Sequence, residues 1–433
     1  MVKRSGGRSQ SRFDHRDEEL MSAAEASALL GVKRATLYTY VSRGLVRCVP
    51  EPGTKENRYV RMDLERLKAR HDARAGHAAV ASGALRWGEP VIDSSVSRID
   101  SDGLAYRGHL AVELAVQGRS FEQVAELLWT GELPSAPVRW PAPELPFPPS
   151  SLVGLLPRDA PPLTVLSAMV PMLGASDPAR FASPPEQERM RARRVLRQLG
   201  AWVGGAQGAT RVAQALKEET VAASMARAWG VEVKQATAPL DRALVLCADH
   251  ELNVSTFTAR VTASSGADLY ACVSAALAAL SGPKHGGACD RIEAMMQEVR
   301  RPERAATVVR ERLRRGESVP GFGHQLYPDG DPRTPPVLEM AWAVRPEPSA
   351  VRVVRAVMEA MAEAGHPPPA VDFGLVALSA ALGLPPGAAA AVFGVGRAAG
   401  WVAHVLEQRE QGHLLRPRAR YVEQPPRSRS PDA

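Results

Sequence analysis

From about residue 84 onward, alanine and leucine recur at helical spacing, as in AVELAV and FEQVAELLW within 111–129 and ACVSAALAALSG at 271–282. Both residues are strong helix formers, and their spacing leaves apolar stripes rather than strict alternation. Period-2 patterns are rare, so the body is expected to be almost entirely α-helical. One stretch cannot join it. Ten prolines fall between Pro134 and Pro162, a density that no long helix survives, and a surface connection is expected there. The 433 residues allow two or three domains, or one large core with an appendage. Hydrophobic content of 45% with 23% charged residues excludes disorder of the whole chain. No internal repeat is present.

The net charge of +7 is unevenly placed. Residues 1–80 carry +6, residues 409–433 carry +3, and the long middle carries −2. An anionic macromolecule, if bound, would meet the N-terminal end. Residues 1–19 are polar and expected to be disordered, as is the tail EQPPRSRSPDA. Residues 71–83 (HDARAGHAAVASG) read as a linker. The four cysteines form no CxxC pair, which argues against a disulfide framework or a zinc ribbon. The start lacks an apolar signal region and no run of about 18 apolar residues occurs. The expected location is cytoplasmic, with no membrane span.

Residues 20–70 read as a small module. Ser22 with Glu25 makes a capping-box pattern, Gly31 stops the first helix, and a second helix, KRATLYTYVSRG (33–44), follows at once. Leu37 and Val41 share one face of it. Lys33, Arg34, Thr36, Thr39 and Arg43 can lie on others, where they could reach phosphates and base edges. LVRCVPEPGTKENRYVRMDLERL (45–67) reads as strand, turn, strand, helix, with Lys55 and Arg58 on the turn-bearing wing. The segments SAAEASALLGVKRATLYTYVSRGL and RYVRMDLERL together resemble the MerR/excisionase-type winged helix-turn-helix, which implies DNA contact through residues 20–70. A docking or dimerisation role is the alternative.

Among ten histidines, two sit in glycine-marked turns: His285 in SGPKHGGACD and His324 in VPGFGHQLYPDGDPR. A carboxylate, Asp372, follows in PPPAVDFG. Two imidazoles and one carboxylate can supply two donors and one base. His285 and Cys289 are four apart, but the intervening glycines and the lack of a second pair argue against a metal, and none is expected.

The chain from about 84 to 422 resembles citrate synthase. The resemblance rests on GLAYRGHLAVELA…SFEQVAELLWTGELP, ADHELNVSTFTARV, GPKHGGA, VPGFGHQLYPDGDPR, AVDFG, FGVGRAAGWVAHVLEQ and LLRPRARYV, in the family's order. It implies an all-α citrate synthase fold across 84–433, with a smaller helical lobe at about 287–383 inserted in a large one. It also implies a homodimer and a reaction of acetyl-CoA with oxaloacetate, with no further cofactor. Residue by residue, His285 would bond the thioester oxygen as it becomes an enol, and Asp372 would remove the methyl proton. His324 would polarise the oxaloacetate ketone. His250, Arg333 and Arg397 would bind oxaloacetate, with Arg416 reaching it from the partner subunit. Val319, Pro320, Gly321, Phe322 and Gly323 would receive the CoA adenine. Such chemistry suits these residue types: a dry carboxylate, donors for developing oxyanions, and planar guanidinium forks for a dicarboxylate.

Three features depart from the family pattern. Gly374 stands where the family commonly has an aromatic residue and is expected either to enlarge the pocket or to loosen the loop holding Asp372. The proline-rich stretch has no clear counterpart, and no basic residue for the CoA phosphates is evident in MAEAGHPPPA. Two alternative functions follow: a 2-methylcitrate synthase using propionyl-CoA, and a transcriptional regulator whose catalytically silent body senses metabolites. An intact His285, His324 and Asp372 speak for turnover.

Overall fold

The computed structural model describes residues 20–42, 45–51, 57–74, 92–181, 184–344 and 346–417. Its contacts divide the chain into two units. One comprises residues 1–93 with 418–433, the other Ser94–Pro417.

In the first unit β1 (Leu20–Met21), α1 (Ala23–Leu30), α2 (Arg34–Ser42), β2 (Cys48–Pro50), β3 (Asn57–Val60) and α3 (Arg61–Arg74) follow one another. The strands form an antiparallel sheet of order β1-β3-β2. The capping box is formed: Glu25 N–H donates to Ser22 Oγ at 3.3 Å and Ser22 N–H to Glu25 Oε2 at 2.8 Å. Gly31 closes α1 in the left-handed region at φ 63°. A small core of Ala26, Leu37, Val46, Tyr59 and Leu64 holds the unit together. Of the residues expected on DNA, Lys33, Arg34 and Thr39 are exposed and Thr36 is half-buried. The Thr39 hydroxyl is turned back onto Ala35 O at 3.1 Å. Arg58 pairs with Glu51 at 2.8 Å. Arg43, Lys55 and the wing turn lie outside the described residues, as does most of the expected linker, whose first four residues are the end of α3.

The second unit opens with a sheet that the sequence reading missed. Strands β4 (Ser97–Asp100), β5 (Gly103–Tyr106) and β6 (His109–Leu110) pair in antiparallel order. The Asp102-Gly103 step in the first hairpin was the available signal. Helices follow: α4 (Ala111–Val116), α5 (Phe121–Thr130), α6 (Pro149–Val153), α7 (Pro162–Ala175), α8 (Pro185–Trp202), α9 (Ala209–Ala215), α10 (Val221–Trp229) and α11 (Val233–Cys247). Then come α12 (Val254–Ser264), α13 (Leu269–Leu280), α14 (Gly287–Val299), α15 (Ala305–Arg314), α16 (Thr334–Ala343), α17 (Ser349–Glu363), α18 (Val371–Leu382) and α19 (Ala388–Gln411). The segment expected as the small lobe holds α14 to α18.

The proline-rich stretch is more than a surface connection. Trp140 is buried and stacks on Trp129 at 5.6 Å, and its indole N–H donates to Glu126 Oε1 at 2.8 Å. The backbone around it is pinned by Gln123 Nε2 on Pro134 O and Arg197 Nη1 on Trp140 O. Side-chain donors thus replace the ladder bonds that prolines cannot make.

The core is organised around α19. Every residue from Ala388 to Val405 is buried. By length and apolar composition alone α19 could cross a membrane, but here neighbouring helices cover it. Its glycines let them approach. A Cβ at Gly400 would meet Asp249 Oδ1 and lie 2.5 Å from Ala248 O, and Gly400 N–H donates to that carbonyl at 2.9 Å. Gly400→Ala is therefore expected to destabilise the fold by about 3 kcal/mol, since an overpacked core contact cannot relax through backbone. A shift in the urea midpoint with unchanged slope would show it.

Candidate active site

The site is assembled from turns between helices. The β4–β6 sheet fixes the first. The Tyr106 hydroxyl donates to Val245 O at 3.0 Å, at the end of α11, and Ile99 N–H donates to Glu251 Oε1 at 3.0 Å. Between these anchors lies His250, buried, with Nε2 2.9 Å from Tyr327 Oη. His250 also meets His324 edge-on, ring centroids 5.4 Å apart. His324 Nδ1 accepts Leu326 N–H at 3.1 Å, which leaves Nε2 as the proton-bearing nitrogen of a neutral ring. Burial, then the nearby Arg333 charge, holds the pKa of His250 well below the ordinary range and also lowers that of His324.

His285 occupies the turn joining α13 to α14. Gly286 is required there, because a Cβ would stand 2.5 Å from Leu280 O. His285 Nε2 lies 2.9 Å from Ser255 Oγ, which also receives the Trp401 indole N–H at 3.2 Å. Asn253 Oδ1, the N-cap of α12, lies 2.9 Å from the same hydroxyl. The hydroxyl has one hydrogen for two acceptors. As placed it donates to Asn253 Oδ1; turned onto His285 Nε2 instead, it leaves the ring proton on Nδ1, free to donate to a ligand. Burial, aided by Arg397, depresses the His285 pKa to about 4, so the ring is neutral at pH 7.

Asp372 lies in the first turn of α18. The loop at 319–323 bonds to the segment just before it: Gly323 N–H donates to Pro368 O and Ala370 N–H to Gly321 O, at 3.0 and 2.9 Å. Gly321 adopts φ 88° where a Cβ would strike Ile292, and Phe322 packs on Phe373 at 4.9 Å. Val319 is buried, while Pro320, Gly321, Phe322 and Gly323 are half-buried. Burial raises the Asp372 pKa above its ordinary value, with the Arg333 charge opposing. Cys289 Sγ lies 3.5 Å from Asp372 Oδ1.

Two guanidinium groups complete the site. Arg333 is buried and bound twice by Asp331, Nε to Oδ1 at 2.9 Å and Nη2 to Oδ2 at 2.7 Å. Arg397 is buried on α19, with Nε on Cys247 O at 2.8 Å. Each has a buried Nη1 with no hydrogen-bond partner among the described residues. Burial works against the Arg397 charge, which Asp249 favours. Arg416 is exposed beyond α19 and makes no hydrogen bond or ion pair among the described residues, so the chain by itself does not bring it to the other arginines. Gly374 does not open space. A Cβ there would lie 3.3 Å from Val337, so it serves the packing of α18 on α16. Sequence reasoning missed Asp331, Ser255 and Tyr327. Each stood inside a quoted motif, but nothing in its residue type singled it out.

Comparison with known proteins agrees with this geometry. A family profile described as "Citrate synthase, C-terminal domain" matches residues 84–418. The chain is 32% identical to 2-methylcitrate synthase 2 of Corynebacterium glutamicum, over 76% of this chain and 91% of that one. It is 31% identical to citrate synthase of Mycolicibacterium smegmatis, over 78% and 94%. A solved ternary complex of carboxymethyl coenzyme A and oxaloacetate with citrate synthase from Thermoplasma acidophilum superposes with TM-score 0.67. That match has 25% identity and covers 80% of this chain and 97% of that one. The chain belongs to the citrate synthase family, the acyltransferase-type condensing enzymes that use no cofactor beyond the CoA substrate.

Proposed function

We propose that the protein condenses acetyl-CoA with oxaloacetate and hydrolyses the resulting thioester, giving citrate and free CoA. The observation that carries this reading is the pair of buried guanidinium nitrogens, Arg333 Nη1 and Arg397 Nη1, that lack partners. Two buried cations with open donors beside two neutral imidazoles suit a small dicarboxylate. Asp372, ionised, takes a proton from the thioester methyl group while His285 Nδ1–H donates to the enol oxygen. The enol carbon attacks the ketone of oxaloacetate, whose oxygen is met by His324. Water then cleaves the thioester. Neutral donors stabilise the two oxyanions as they develop, and closure of the α14–α18 lobe excludes water until the carbon–carbon bond has formed. Arg416 completes the oxaloacetate site from the partner of a homodimer, and Val319 to Gly323 receive the adenine of CoA.

Relatives of similar identity include both citrate and 2-methylcitrate synthases. The close packing of Gly374 against Val337 lends no support to an enlarged pocket for propionyl-CoA. A catalytically silent sensor would have no use for Asp372 as a base. Separately, exposed Lys33 and Arg34 at the start of α2 support DNA contact by the N-terminal unit.

Following free CoA with a thiol reagent tests the reaction. Release is expected with oxaloacetate plus acetyl-CoA, faster than with propionyl-CoA, and Asp372→Asn should lower kcat about a thousandfold. No release from protein that binds oxaloacetate calorimetrically would sink the proposal. Because a protonated Asp372 cannot accept a proton, kcat should fall as pH drops through its raised pKa, so the acid limb lies above the ordinary carboxylate range. Arg397→Gln should weaken oxaloacetate about 100-fold in titration calorimetry, by leaving one carboxylate without its charged donor. For the N-terminal unit, a gel shift on the gene's own upstream DNA should weaken in Lys33→Ala/Arg34→Ala, with a shallower salt dependence. Binding that is indifferent to both substitutions would exclude α2.

A further inference from the structure

Cys289 lies wholly buried in the first turn of α14, four residues after His285. Its thiol is the one side-chain hydrogen-bond donor to Asp372 among the described residues, at 3.5 Å to Oδ1. The other groups electrostatically coupled to Asp372 do not bond it. Arg333 and Asp331 engage each other in the 331–333 turn, His324 stands in the preceding loop, and Cys247 ends α11. Glu293, one turn further along α14, faces Cys289 and accepts the Gly387 N–H at 2.9 Å.

We propose that Cys289 is the positioning residue for Asp372: its S–H holds Oδ1 and leaves Oδ2 to take the substrate proton. The inference rests on the reading of Asp372 as the base. A thiol is a weak donor, so it orients the carboxylate while withdrawing little of its basicity. A hydroxyl in its place would favour the ionised form more strongly, and a methyl group would favour it not at all. Burial and the Asp372 charge push the Cys289 pKa well up, so the donor hydrogen is retained while the base is ionised. The arrangement also links two functions. One turn of backbone, His285-Gly286-Gly287-Ala288-Cys289, carries both the donor for the enol oxygen and the donor that aims the base.

The test compares Cys289→Ser, Cys289→Ala and the unaltered protein. The acid limb of kcat should move about 0.5–1 pH lower in the serine variant and about 0.5–1 higher in the alanine variant, while KM for oxaloacetate stays within about twofold. An acid limb common to all three proteins, or displaced in one direction by both variants, would overturn the proposal. A second measurement needs no turnover. The infrared S–H band of Cys289, isolated by subtracting the Cys289→Ala spectrum, should shift toward that of a free thiol in Asp372→Ala. An unmoved band would refute the contact. Absence of CoA release in the unaltered protein would instead count against the condensation reading and leave the infrared test standing.

Discussion

A single carboxylate, Asp331, holds the catalytic turns in register. It binds the backbone N–H, Nε and Nη2 of Arg333, and it accepts Val371 N–H at 3.1 Å. Those four bonds join the loop that carries His324, the start of α16 and the start of α18, where Asp372 sits one residue beyond Val371. The pair is buried on both sides. Losing one member of such a pair costs about 3–5 kcal/mol, because the other charge is left without compensation. Asp372 and His324 therefore do not find each other by helix packing alone. They are tied through the side chain of Asp331.

The electrostatic character of the site follows from that tie. Asp331 spends both oxygens on one side of Arg333, which leaves the other side with its positive field and an open N–H. Arg397 adds a second cation on α19, with no carboxylate bonded to it among the described residues. Burial, and then the nearby arginine charges, disfavours protonated imidazole, so His250, His285 and His324 are all depressed. The same burial raises Asp372. Neutral imidazoles and a carboxylate of raised pKa thus share one main cause, burial away from water.

Much of this was legible in the sequence. The glycines near His285 and His324 marked both turns, and the structure shows why: a Cβ would collide at Gly286 and at Gly321, three residues before His324, and Gly323 beside it adopts φ 75°. The Ala- and Leu-rich spacing gave the helices. Ser255 and Asp331 were not legible, because each acts through a partner distant in sequence or through the backbone. The β4–β6 sheet was hidden because its strands are only two to four residues long, too short for alternation to declare itself. Gly374 was misread for a related reason. Which wall a residue faces is fixed by the packing of α18 on α16, and no local pattern encodes that.

The burial of α19 bears on how the chain acquires its structure. The helix around which the second unit packs, Ala388–Gln411, follows in chain order the helices that it covers. On an emerging chain, α5, α8 and α11 to α13 present faces whose mate has not yet been synthesised. Domains fold as units during synthesis, and exposed apolar faces aggregate. Those faces stay uncovered until α19 docks, so the core is completed only when the helix that follows them in the chain is in place.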